Sequence, residues 1–216
     1  MHKNVINLLE IENKLKIIDN FKNCKIIAVS KTFSKKDIKP LIDHGHEDFG
    51  ENKIQEAIEK WTSIKSNNNN IKLHMLGKIQ TNKVKYLIPL FDYLHSLDSL
   101  KLAEKIFNEQ EKKNKKIKIF IQVNIGAEEQ KGGIGIHQVD NFYYECVKNF
   151  KLDIVGLMCI PPYSKNSKSY FMKLREIASN LQLTKLSMGM SGDYTEALEC
   201  GSNFLRIGTA IFGKRT

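Results

Sequence analysis

None of the four cysteines, Cys24, Cys146, Cys159 and Cys200, forms a Cys-x-x-Cys pair, which argues against a zinc site. Their scatter offers no secretory disulfide framework, so reduced, mostly buried thiols in a cytoplasmic protein are expected. No run of eighteen apolar residues occurs, so no segment reads as a membrane span. Val5 to Leu9 is a short apolar run, but Glu10, Glu12 and Lys14 follow at once, unlike a signal peptide. No linker separates a second domain; Asn67 to Asn70 reads as a surface loop, and 1–216 as one domain. An arginine-rich arm is also lacking. The net charge is +10, but lysines are spread over the whole chain with acidic neighbours, as in Glu109-Gln110-Glu111-Lys112-Lys113. That is a compositional bias rather than a nucleic-acid footprint. His44 and His46 flank Gly45, yet no carboxylate or cysteine set completes a metal site, and none is expected.

What the 216 residues do hold is alternation. Short β-branched apolar runs precede longer stretches of helical periodicity. The strands expected are Lys25 to Lys31, His46 to Gly50, Lys72 to Leu76, Phe91 to His95, Ile117 to Asn124, Asp153 to Cys159, Thr184 to Ser187 and Phe204 to Arg206. Between them lie helices: from Ser34, as N-cap, to about His44; Asn52 to Ile64; Thr81 to Ile88, ended by Pro89; and Asp98 to Lys112. His137 to Phe150, Ser167 to Leu181 and Gly192 to Cys200 follow, with Gly45 and Gly201 as stops. A glycine-rich loop, Gly126 to Gly135, follows the fifth strand. Eight strand–helix units imply parallel pairing with right-handed crossovers. They favour an α/β fold closed into a (β/α)8 barrel with an extra N-terminal helix; an open sheet of seven strands is the alternative.

Ligands of such a barrel bind at the C-terminal ends of the strands. Lys31 ends the first strand. Burial at an apolar mouth disfavours the ammonium form, and a neutral lysine amine attacks aldehydes to form a Schiff base; read alone, Lys31 is an ordinary surface lysine. The loops after the last two strands are the usual phosphate site of this fold. Here they read Ser187-Met188-Gly189-Met190-Ser191-Gly192 and Arg206-Ile207-Gly208-Thr209. Ser191 reads as both N-cap and phosphate donor, Gly208 admits backbone N–H groups, and Thr209 offers a hydroxyl. A Schiff-base lysine and a phosphate cradle on one face suit a phosphorylated aldehyde. His74 and His95, at the mouth or interior, read as satisfied buried rings.

Ordered motifs cover almost the whole chain: Ala28-Val29-Ser30-Lys31-Thr32; Phe49-Gly50-Glu51-Asn52 with Gln55-Glu56; and Gly77-Lys78-Ile79-Gln80-Thr81-Asn82-Lys83. His95-Ser96-Leu97-Asp98 and Gln122-Val123-Asn124-Ile125 follow, with Glu128 and Lys131. Gly156 to Pro161, Leu186 to Ser191 and Arg206 to Gly213 complete the series. With these motifs the chain resembles the pyridoxal phosphate homeostasis protein family (YggS/PROSC). The resemblance implies a barrel like the N-terminal domain of alanine racemase, with pyridoxal 5′-phosphate (PLP) covalent on Lys31. It implies Asn52 facing the cofactor ring, Ser191, Gly208 and Thr209 on the phosphate, Arg206 near the pyridine nitrogen, and Met188 or Met190 on the ring. An arginine there leaves that nitrogen unprotonated and weakens the ring as an electron sink.

The chain stops soon after Gly208, without the β-domain that completes racemase active sites. Tyr163 and Tyr194 read as packing or surface residues. A monomeric cofactor carrier is therefore implied rather than an efficient enzyme, buffering vitamin B6 cofactor and passing it to apo-enzymes. A low-activity amino-acid racemase is the alternative. Lysines 35, 36, 78, 83 and 131 read as solvated surface around the mouth. Leu73-His74-Met75-Leu76-Gly77 departs from the family's Trp-His-Phe-Ile-Gly. Lys78 and Gly192 depart too, standing where a small or apolar residue and an acidic residue are usual.

Overall fold

The computed structural model describes residues 1–128, 130–162 and 166–214. Its strands are β1 (Lys25–Val29), β2 (Asp48–Glu51), β3 (Lys72–Met75), β4 (Tyr93–Leu97), β5 (Lys118–Asn124), β6 (Ile134–Gly135), β7 (Ile154–Cys159), β8 (Lys185–Ser187) and β9 (Phe204–Ile207). All pairings are parallel. β1 pairs with both β2 and β9, and β4 pairs with β5, so the sheet closes on itself. The two-residue β6 pairs with β5 alone, which leaves eight strands in the ring. The fold is therefore the closed parallel barrel that the alternation implies, and the open sheet is excluded.

The helices are α1 (Lys3–Leu15), α2 (Lys35–Asp43), α3 (Ile54–Asn67), α4 (Val84–Leu90), α5 (Leu100–Lys113), α6 (Val139–Lys148), α7 (Ser167–Asn180), α8 (Tyr194–Glu199) and α9 (Thr209–Phe212). None of the described helices is long and apolar enough to cross a membrane. The extra helix α1 buries Val5, Leu8, Ile11 and Leu15, spaced at three and four residues. Asn7 ties it to the C-terminal segment, donating to the Ile211 carbonyl at 2.8 Å. In α2 the Asp37 carboxylate accepts from the Ser34 N–H at 2.9 Å and the Ser34 hydroxyl at 2.6 Å, fixing the expected N-terminus. In α3 the expected face is buried at Ile54, Ala57 and Trp61, while Ile58 is half-buried.

Period-two alternation divides the strand residues between two cores. In β1, Ile26 and Ala28 join the thick core between barrel and helices, while Ile27 and Val29 point inward. The interior is filled by Ile27, Val29, Phe120, Met158 and Phe204, together with the buried polar residues Asp48, His74, His95, Ser187 and Arg206.

Four local expectations are corrected. Pro89 lies inside α4 rather than beyond it; a proline in a short last turn forfeits a single helical hydrogen bond. β4 begins two residues later than expected. Phe91 still closes α4 through its N–H to the Leu87 carbonyl, and the Asp92 carboxylate accepts from the Leu73 N–H at 2.7 Å and from Lys65 at 2.5 Å. His95 therefore sits mid-strand inside the barrel and not at its mouth. The glycine-rich loop contains the short strand β6. Finally, α8 starts after Asp193, whose carboxylate accepts from the Met190 N–H at 2.6 Å. Ser191 is thus not the N-cap of α8; its hydroxyl instead accepts from the Ala210 N–H at 3.2 Å, at the start of α9.

Candidate functional site

At the C-terminal mouth the strand ends surround a cavity of about 330 Å³, within the ~300–1,000 Å³ of small-molecule sites. Lys31, Asn52, Ser191, Arg206, Gly208 and Thr209 all line it. Lys31 arrives there by alternation, on the inner side of the chain beyond Val29, while its neighbour Ser30 faces outward. The Ser30 hydroxyl donates to Glu51 Oε1 at 2.7 Å. Lys60, buried on α3, donates to the Ser30 carbonyl at 2.7 Å, and to Glu51 and Glu56 at 2.9 Å each. Glu56 in turn accepts the Thr32 N–H at 2.5 Å. Thr32 has φ +69°, a left-handed conformation uncommon for threonine. The segment carrying Lys31 is thus clamped from behind by an ionic cluster.

Asn52 is placed by a close approach of backbones. A Cβ on Gly77 would stand 2.1 Å from the Asn52 carbonyl oxygen, so only glycine lets the loop after β3 pack there. Ser96 holds that loop, donating to the Gly77 carbonyl at 2.7 Å.

Arg206 is inward-facing on β9 and 5% exposed. Its guanidinium donates to Ser187 Oγ at 2.9 Å and to the Cys159 carbonyl at 2.8 Å. Burial pulls its pKa down from the ordinary value. Both partners are neutral, so its positive charge stays available to the cavity. Lys31 and Arg206 are the charged groups on the described lining, and no carboxylate joins them. The arrangement favours an anion. Thr209 opens α9, whose Ala210 N–H goes to the Ser191 hydroxyl and whose Ile211 and Phe212 N–H groups go to the Gly208 carbonyl.

The methionine expectation is corrected. Met188 lies in the outer core and is 0% exposed, whereas Met190 lines the cavity. Ser187 faces inward on β8, so Met188 must face outward. Gly189, at φ +89°, then redirects the chain, and its carbonyl accepts the Arg206 N–H at 3.0 Å. Among the lining residues not foreseen for the site, Phe33, Leu76 and Ile160 add apolar wall; counting by two from His74 and Met158 would have found Leu76 and Ile160. The lysines at 35, 36, 78, 83 and 131 do not line the cavity. Tyr194 packs against the core, with Lys14 over its ring; Tyr163 lies outside the described residues. His46 bonds the Asp48 carbonyl at 2.9 Å, and no group of metal-ligating side chains exists among the described residues. Burial pushes the Cys24, Cys146 and Cys159 thiols up to about 12, so they stay protonated and inert.

The barrel and its mouth define the class as the alanine racemase N-terminal domain: the family model described as "Alanine racemase, N-terminal domain" matches residues 6–216. Alanine racemase of Clostridium difficile shares this fold at 17% identity and a TM-score of 0.77; the superposition covers 99% of this chain and 57% of that one. The chain belongs to the pyridoxal phosphate homeostasis protein family. It is 38% identical over 203 residues to the pyridoxal phosphate homeostasis protein of Aquifex aeolicus, spanning 89% of this chain and 88% of that protein. It is also similar to PipY of Synechococcus elongatus, solved with PLP bound, at 29% identity and a TM-score of 0.86, covering 97% of this chain and all of that one.

Proposed function

We propose that the cavity binds pyridoxal 5′-phosphate as a Schiff base on Lys31, and that the protein holds and hands on the cofactor rather than turning over a substrate. The observation that carries this reading is the convergence of Lys31, Asn52, Ser191, Arg206, Gly208 and Thr209, from four strand ends, on one cationic cavity. A phosphate fits the hydroxyls of Ser191 and Thr209 and the backbone at Gly208 and Thr209. Arg206, a donor only, suits an unprotonated ring nitrogen. Leu76, Met158 and Met190 supply apolar contact for a ring. Bound there, the cofactor would supply a reactive aldehyde, and the protein's part is to sequester it. Residues 1–216 act as one domain in this reading, as a monomer, with apo-enzymes that use PLP as the recipients.

The test is the absorbance spectrum of purified protein with added PLP, before and after borohydride, beside Lys31→Ala. A band trapped by reduction in the wild type and missing from the variant is expected. Protein that takes up no cofactor, or a variant trapped equally well, would overturn the reading. Deuterium exchange at Cα of added amino acids separates carrier from racemase: none above the free-cofactor background is expected.

A further inference from the structure

The barrel interior holds a line of polar side chains that the cavity lining alone does not explain. Arg206 Nη1 donates to Ser187 Oγ at 2.9 Å. Ser187 Oγ lies 2.8 Å from His95 Nδ1, and His95 Nε2 lies 2.9 Å from His74 Nδ1. His74 Nε2 is 3.0 Å from Asp48 Oδ1, and Lys25 donates to Asp48 Oδ2 at 3.0 Å. These six residues come from β9, β8, β4, β3, β2 and β1. They run from the cavity to the opposite mouth, where the Lys25 side chain is about half exposed, at 48%.

The chemistry permits one direction of donation. An ionised Asp48 accepts only, so His74 carries its proton on Nε2. A neutral His74 then accepts at Nδ1, which places the His95 proton on Nε2. His95 Nδ1 must accept in turn, and its donor is the Ser187 hydroxyl. Ser187 Oγ remains an acceptor toward Arg206, which can only donate. Every donor and acceptor in the line is matched, and all arrows point toward Asp48. The rings are held in plane: His74 stacks on Tyr93 at 4.4 Å, and His95 on Phe120 at 4.5 Å. An imidazolium at His95 would set N–H against an N–H or a hydroxyl hydrogen, and one at His74 would reverse the His95 tautomer and strip the Ser187 hydroxyl of its acceptor. Burial disfavours it as well, lowering both histidine pKa values.

We propose that Ser187, His95, His74 and Asp48 are positioning residues for Arg206, forming a one-way hydrogen-bonded line that fixes its guanidinium and is anchored at the far mouth of the barrel by the Asp48–Lys25 ion pair. Ser187 meets Arg206 with a neutral oxygen, and the bonds behind it polarise one another in a low dielectric. The line ends at an arginine, which stays protonated, so it transmits orientation and not protons. The proposal deepens the reading of the cavity as a cofactor site and rests on that reading for its ligand arm.

The first arm of the test needs no cofactor. In the unliganded wild type labelled with ¹⁵N-histidine, with the signals of His74 and His95 told from that of His46 by single His→Gln variants, both rings are expected as neutral Nε2–H tautomers that stay neutral as pH falls through the ordinary imidazole range. An Nδ1–H tautomer or an imidazolium at either ring in neutral solution would overturn the proposal. In the second arm, Asp48→Asn keeps an oxygen for His74 but removes the charge, and Ser187→Ala cuts the link to Arg206. Each is expected to weaken PLP binding by about tenfold or more, the scale seen when the outer partners of metal ligands are lost, and to shift the bound-cofactor absorbance. Unchanged affinity and spectrum in folded variants would also overturn it. If a variant does not fold, the tautomer measurement on the wild type decides. Wild-type protein that takes up no PLP would instead overturn the cavity reading, with the tautomers still deciding the line.

Discussion

At the scale of single residues, the contrast between Met188 and Met190 separates packing from binding. Two positions apart in sequence, they occupy the outer core and the cavity wall. Met188→Ala is expected to destabilise the fold by about 2–5 kcal/mol, as core truncations do, with little change in cofactor affinity of the folded fraction. Met190→Ala is expected to leave the denaturation midpoint nearly unchanged and to weaken cofactor binding. Urea titration and a binding isotherm on both variants check the pair, and a reversed pattern would show that the two side chains were assigned to the wrong cores. Gly77→Ala makes a different point: the new methyl stands on the Asn52 carbonyl, so backbone must shift. The expected result is weaker cofactor binding with a stability loss of about 1–3 kcal/mol, the usual cost of overpacking.

At the scale of elements, the loops decide the site and the helices behind them hold the loops. Helix α2 begins at the Ser34–Asp37 cap, three residues beyond Lys31. Asp37→Ala is expected to cost about 1 kcal/mol, the usual price of a lost cap, read as a lower urea midpoint. The hydrogen bonds from Ser34 hold the Asp37 carboxyl below its ordinary pKa. A depressed carboxylate pKa stabilises the fold above the unfolded value and loses that contribution as pH falls through the folded one. The gap between wild type and Asp37→Ala should therefore close in acid. Much of this level was legible beforehand: the eight barrel strands, the Ser34 start and the Gly45 and Gly201 stops. What misled were short-range signals outvoted by tertiary partners. Proline at 89 reads as a terminator, yet Phe91 completes the turn after it. Serine at 191 reads as a cap, yet Asp193 reaches the Met190 N–H first.

At the scale of the molecule, the buried histidines couple the fold to pH. Burial lowers the pKa of His46, His74 and His95 below the imidazole value of 6.5. The unfolded chain then binds protons that the folded one does not, so stability is full above that value and falls as pH drops below it. Denaturation midpoints should therefore decline from pH 7 toward pH 5, before the carboxylates titrate. A flat profile over that interval would show that these rings are protonated in the folded state without cost. The charge of +10 is a separate matter. Spread over the surface, it is expected to give only weak, salt-sensitive association with DNA, measurable as a binding curve that vanishes at physiological ionic strength.

The sequence by itself determined the class of fold and the addresses of the site. Alternating periods of two and 3.6 specify parallel strand–helix units, and strand ends specify where ligands go, because both follow from local backbone geometry. Strand ends put Lys31, Ser191, Gly208 and Thr209 at the mouth for that reason, and the family resemblance singled out Asn52 and Arg206; all six line the cavity. Only the tertiary structure decided that Met188 turns away, that Glu51, Glu56 and Lys60 brace the Lys31 segment, and that His95 lies inside the barrel. It alone joined Lys25, Asp48, His74, His95, Ser187 and Arg206 into one line. Their partners lie up to 92 residues apart along the chain, and closing the barrel is what brings them within hydrogen-bonding distance.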